Sequence, residues 1–126
     1  GSERSRIDLL LSRYEALCYV EVKNATLGTP DGVVRFPDSV TSRGTKHLRE
    51  LTAMIEEGHR AVLVFCVSRD DAQVFEPADD IDPVYGKTLR EAVAAGLEVF
   101  AYRLSINPPE LRLVEPIPVR LPELTD

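Results

Sequence analysis

Ala61-Val62-Leu63-Val64-Phe65-Cys66-Val67 is an unbroken apolar run. Continuous apolarity over so short a stretch is the signature of a strand covered on both faces, as inside an α/β sheet. On its N-terminal side, Leu48, Leu51, Met54 and Ile55 recur at three- and four-residue steps, which predicts a helix from Val40 to Glu57 that stops at Gly58. On its C-terminal side, Asp82 followed by Pro83 reads as an N-cap and an N1 proline. The helix they open runs from Pro83 to Ala95 and closes at Gly96, and Leu97–Leu104 is the next strand. Five prolines in residues 107–126 place that tail along the surface or on a sheet edge.

Further upstream, Gly28, Pro30, Gly32 and Pro37 make residues 24–39 a loop with a short strand at Val33-Val34-Arg35-Phe36. Residues 6–11 and 18–23 form a hairpin joined by Ser12–Leu17. The element order is therefore β-β-α-β-α-β. It predicts an α/β fold in one domain spanning residues 1–126, with a mixed central sheet flanked by helices.

Within the hairpin, side chains two apart share a face. Glu21 and Lys23 thus share a face with Tyr19, while Cys18, Val20 and Val22 take the other, and Asp8 alternates with Ile7 and Leu9. In the right register Asp8 lands beside Glu21 and Lys23. Strands disfavour all three residue types, and two adjacent carboxylates repel unless a cation lies between them. Magnesium takes oxygen ligands at about 2.0–2.1 Å, commonly one or two carboxylates with waters and a substrate phosphate. Asp8 and Glu21 are the candidate carboxylates, and the backbone carbonyl of Val22 is a third ligand. Lys23 orients water or stabilises charge on a phosphorane-like transition state. The plainer alternative is a cross-strand acid–lysine pair worth under about 1 kcal/mol.

Arg43, Lys46, His47 and Glu50 fall at i, i+3, i+4 and i+7, on one helical face separate from Leu48, Leu51 and Ile55. The basic groups of this stripe either contact phosphates or form a solvated surface. His47 reads as a surface histidine, with proton transfer as its alternative role. Asp38 or Ser39 is the candidate N-cap, Asp38 being also a candidate site residue. Ahead of Asp8, Arg6 adds a phosphate contact and Glu3 a third carboxylate.

The formal charge of −6 argues against a generally basic nucleic-acid binder. Basic and acidic residues balance over residues 1–63, however, and the excess acid lies in residues 64–126. Much of it clusters at Asp70, Asp71, Glu76, Asp79, Asp80 and Asp82, a region expected to face away from a polyanion. No run is long enough to cross a bilayer. Cys18 and Cys66 lie in strand-like segments, outside any CxxC pair or Cys/His cluster, and read as reduced core thiols of a cytoplasmic protein. A disulfide between them requires neighbouring strands.

The segments Glu3–Asp8, Tyr19–Leu27 and Phe36–Leu51 together closely resemble the sugar fermentation stimulation protein (SfsA) family. The similarity continues through Gly58–Val62, Asp82–Tyr85 and Gly96–Tyr102, in order and over most of the chain. The resemblance implies a C-terminal domain like the PD-(D/E)XK, restriction-endonuclease-like core, with Asp8 and Glu21-Val22-Lys23 at the motif positions. It implies DNA as partner, bound without sequence specificity, and phosphodiester cleavage with Mg²⁺ or Mn²⁺. The alternative it carries is a non-catalytic DNA-binding regulator of sugar (maltose) metabolism that keeps the nuclease fold. A third possibility is an interaction domain in which the three residues form a buried polar network. The family's N-terminal OB-like domain, and the helix and first strand that usually precede the motif strand in the nuclease core, are expected to be absent from these residues, which exposes a sheet edge through which a homo-oligomer can form. No membrane partner is expected.

Overall fold

The computed structural model describes residues 9–13, 16–107 and 111–124. Its large sheet has five strands: β1 (Leu9–Arg13), β2 (Ala16–Ala25), β5 (Arg60–Val67), β7 (Glu98–Asn107) and β8 (Leu111–Ile117), in that spatial order. β2, β5 and β7 are parallel, while β1 and β8 run antiparallel along the two edges. The connection from β2 to β5 carries α1 (Ser42–Glu56), and that from β5 to β7 carries α2 (Pro83–Ala95). A smaller sheet orders β3 (Leu27–Gly28), β4 (Val33–Phe36) and β6 (Val74–Pro77).

The apolar run at Ala61–Val67 is the middle strand of the large sheet. Its odd-numbered residues Ala61, Leu63, Phe65 and Val67 are fully buried in the core shared with Leu48 and Leu51 of α1 and Leu89 and Ala92 of α2. The opposite face corrects the expectation of cover on both sides. Val62 is buried there too, but Val64 and Cys66 are half-buried, and Val22 and Phe100, which flank Val64 in the ladder, are 37% and 41% exposed. The hairpin is also tighter than predicted: the ladder extends to Arg13↔Ala16, so strand replaces most of the expected Ser12–Leu17 connection. β3 and β6 were not anticipated, because neither two residues nor Val74-Phe75-Glu76-Pro77 carries a readable alternation.

Aromatic stacking joins the two sheets. Phe65 of β5 lies 4.1 Å from Phe75 of β6 and 5.4 Å from Phe36 of β4, and Phe36 meets Tyr85 of α2 edge-on at 5.4 Å. The proline-rich tail supplies edge strand β8 and then turns back along β6. There Phe75 N–H donates to the Pro118 carbonyl at 2.9 Å and Arg120 N–H to the Phe75 carbonyl at 2.8 Å. The Phe36–Pro37 peptide is cis.

α2 begins and ends as its sequence predicts, with Asp82 as N-cap and Gly96 in the left-handed region at φ 119° as C-cap. α1 starts later than predicted. Thr41 is its N-cap, with Oγ1 accepting from Gly44 N–H at 2.9 Å, in place of Asp38 or Ser39. Among the described residues, no helix is long and apolar enough to cross a membrane.

Cys18 lies opposite Arg60, and Cys66 opposite Asn24. The thiols are thus six positions apart along adjacent strands, about 20 Å at the usual rise, too far for a disulfide. Both are free, and burial pushes the Cys66 thiol up.

Candidate functional site

Tyr19, Glu21, Lys23 and Ala25 of β2 face the helices, as alternation demands. Tyr19 packs against the core, Ala25 is buried within it, and Glu21 and Lys23 lie between them. Glu21 is 2% exposed, beside Leu63 in the ladder, whereas Lys23 is half-buried beside Phe65. A carboxylate this deep needs a polar or charged counterpart, because desolvating an uncompensated charge is costly. α1 brings one: His47 Nδ1 lies 3.6 Å from Glu21 Oε1.

That position corrects the expectation of a surface histidine. His47 is 4% exposed and falls in the buried series Gly44, His47, Leu48 and Leu51. The series has the same i, i+3, i+4, i+7 spacing as the predicted basic stripe, and the two overlap at residue 47. Arg43 and Lys46 are exposed and Glu50 is half-buried, so the solvated part of the stripe reduces to Arg43 and Lys46.

Antiparallel pairing sets Leu9 opposite Val20. Asp8, Arg6 and Glu3 lie outside the described residues. The Val22 side chain points to the other face of the sheet, and its carbonyl belongs to the peptide between Val22 and Lys23. Asp38 is exposed and lines a depression with Asn24, Thr26 and Arg35 at the C-terminal end of β2. That is the end of parallel strands where α/β proteins commonly bind ligands. Arg35 is also paired to Asp80 at 2.7 Å. Among the described residues, no group of three or more His, Cys, Asp and Glu gathers in the manner of a metal centre.

Two residues frame the site in ways that the sequence does not reveal. Asp82 is 3% exposed. Its Oδ1 accepts from Tyr85 N–H at 3.0 Å, the expected N-cap bond, and its Oδ2 accepts from Thr41 N–H at 2.8 Å. One carboxylate therefore fastens the N-termini of both helices. The second, Tyr85, is 1% exposed and packs closely on the α1 backbone, where a β-carbon added to Gly44 would stand 3.1 Å from its ring. Burial pushes the Tyr85 phenol up, and the negative charges of Glu21 and Asp82 add to the effect. The Asp82-Pro83 cap signal reveals α2 but not α1 as the carboxylate's second client, because that contact spans 41 residues of sequence.

Fold and site together define a mixed α/β protein with an acidic residue buried on its central sheet beneath a helix. The family described as "Sugar fermentation stimulation protein RE domain" matches residues 1–110, and the chain belongs to this SfsA family. A sugar fermentation stimulation protein homolog from Teredinibacter turnerae is 56% identical over 121 residues, which cover 96% of this chain and 52% of that protein. A homolog from Citrifermentans bemidjiense is 56% identical over 117 residues, covering 93% of this chain and 50% of that one. The chain thus spans about half the length of the curated relatives it matches. The solved structure of Pyrococcus furiosus SfsA in complex with Ca²⁺ superimposes with a TM-score of 0.80 at 28% identity, over 88% of this chain and 48% of that one.

Proposed function

We propose that this protein is a DNA-acting domain of the PD-(D/E)XK, restriction-endonuclease-like class that hydrolyses phosphodiester bonds with Mg²⁺ or Mn²⁺. The observation that carries the proposal is Glu21, a buried acid on the helix-covered face of a central strand, with Lys23 next on that face. The hairpin register supports it further. Leu9, the residue after Asp8, lies opposite Val20, the residue before Glu21. The donor chemistry fits a hard cation: Glu21 supplies one of the one or two carboxylates that Mg²⁺ takes, and Asp8 is the proposed second. The Pyrococcus furiosus relative was solved with Ca²⁺, which also takes oxygen ligands.

When bound, the ion supplies Lewis-acid stabilisation of charge developing on the phosphate. The chain's own residues do the rest. Asp8, Glu21 and the Val22 carbonyl would hold the ion. The Lys23 ammonium stabilises the pentacoordinate transition state, where a fixed positive charge in a half-buried site acts more strongly than in water. Arg43 and Lys46, exposed on α1, contact flanking phosphates and position the strand without reading its sequence.

The test is nicking of supercoiled plasmid with Mg²⁺. The wild type is expected to nick it. Glu21→Ala and Asp8→Ala are expected to lose both cleavage and metal-induced thermal stabilisation. Lys23→Met is expected to keep the stabilisation and lose cleavage. Salt-sensitive DNA binding with no cleavage in the wild type, unchanged by all three substitutions, would instead favour a non-catalytic DNA-binding regulator.

A further inference from the structure

We propose that His47 is a positioning residue for Glu21: from α1 it holds the Oε1 edge of the carboxylate, so that Oε2 is the edge presented to a divalent cation. The inference rests on Glu21 being a metal ligand and assigns a role to a residue that does not itself touch the ion.

Three observations carry it. His47 Nδ1 and Glu21 Oε1 are 3.6 Å apart, within ion-pair reach though longer than a hydrogen bond, with both side chains almost wholly buried, at 4% and 2% exposure. Both atoms are out of reach of solvent, so the imidazole and this oxygen face each other away from bulk water. The imidazole is itself fixed. His47 sits one turn beyond Gly44 on the buried side of α1, where Gly44 packs against Tyr85, and the start of that helix is fastened through Thr41 to Asp82. A carboxylate on a strand turns freely about its last torsion unless something holds one oxygen. Partners that orient a ligand without touching the metal typically contribute 10- to 100-fold in metal affinity.

The test is Mn²⁺ affinity, measured by electron paramagnetic resonance of the free ion, for the wild type, His47→Leu, His47→Asn and Leu48→Ala. His47→Leu keeps the volume and removes the nitrogen, and it is expected to weaken Mn²⁺ binding by about 10- to 100-fold. His47→Asn, whose amide nitrogen can occupy the Nδ1 position, is expected to restore affinity to within a few-fold of wild type. Leu48→Ala lowers the melting temperature through the neighbouring core position and is expected to leave affinity unchanged, which separates positioning from general support. A second readout needs no variant: the ¹⁵N resonances of the His47 imidazole are expected to shift when Mg²⁺ is added to the wild type. Unchanged Mn²⁺ affinity in a folded His47→Leu overturns the role of His47, provided that Glu21→Gln abolishes binding. Imidazole resonances that stay still while Mg²⁺ binds overturn it equally. A wild type that binds neither ion overturns the metal site as well, and that outcome is distinct from the other two.

Discussion

Asp82 shows how much of the architecture rests on one side chain. Its two oxygens hold N–H groups of two helices at 3.0 and 2.8 Å, and the side chain itself is almost wholly buried. Hydrogen bonds to a charged group contribute about 1.5–3 kcal/mol each, and a lost N-cap costs about 1 kcal/mol. Asp82→Ala is expected to destabilise the protein by about 3 kcal/mol or more, and Asp82→Asn by less, in urea unfolding. A loss under about 0.5 kcal/mol for the alanine variant would show that the helices do not depend on this clamp. Only half of this role was legible in the sequence. Asp-Pro is a local cap signal, whereas the bond to Thr41 depends on where the tertiary fold sets the start of α1. His47 was misread for a related reason: its spacing fits the polar and the buried stripe alike, and only the docking of α1 over Glu21 decides between them.

Among the elements, α1 and the β5–β7 pair give opposed lessons. Helix propensity alone favours Gly44→Ala by about 1 kcal/mol. The packing forbids it, because a β-carbon there would stand 2.9 Å from Thr41 Cγ2 and 3.1 Å from Tyr85 Cε2. The expected outcome is a net loss of about 1–3 kcal/mol, read as a lower urea midpoint, with a gain in stability as the contrary result. Between β5 and β7, Arg60 donates two hydrogen bonds to Glu98, at 2.5 and 2.9 Å. They hold the Glu98 carboxyl below the usual glutamate range. A carboxyl with a depressed folded-state pKa adds stability that is present above its unfolded value, near pH 4.3, and lost as the pH falls through the folded value. Glu98→Gln is therefore expected to narrow the stability difference between pH 6 and pH 3, and an unchanged difference would contradict the pairing. The main helices and parallel strands were readable because their periodicity and caps are local. Thr41 as N-cap and strands β3 and β6 were not, since their identity depends on partners distant in the chain.

Across the whole molecule, the two faces of the large sheet are unequal. Phe65 points to the helix side, is fully buried and stacks on Phe75, whereas Phe100 on the adjoining strand points the other way and is 41% exposed. Phe65→Ala is expected to cost about 3–5 kcal/mol, and Phe100→Ser about 1 kcal/mol or less, by chemical denaturation. Equal costs would contradict this asymmetry. The apolar run at Ala61–Val67 correctly marked the centre of an α/β sheet. Its unbroken apolarity overstated the cover, because a half-exposed face is also built of valine, cysteine and phenylalanine here.

Both proposals depend on Glu21 binding a divalent ion from the helix-covered face of β2. The most direct measurement is the anomalous scattering of Mn²⁺ in crystals of the protein. The expected result is a peak within coordination distance of a Glu21 carboxylate oxygen, lost in Glu21→Gln. A peak elsewhere in the molecule, or none beside Glu21 at saturating Mn²⁺, would contradict the metal site and the chemistry built on it.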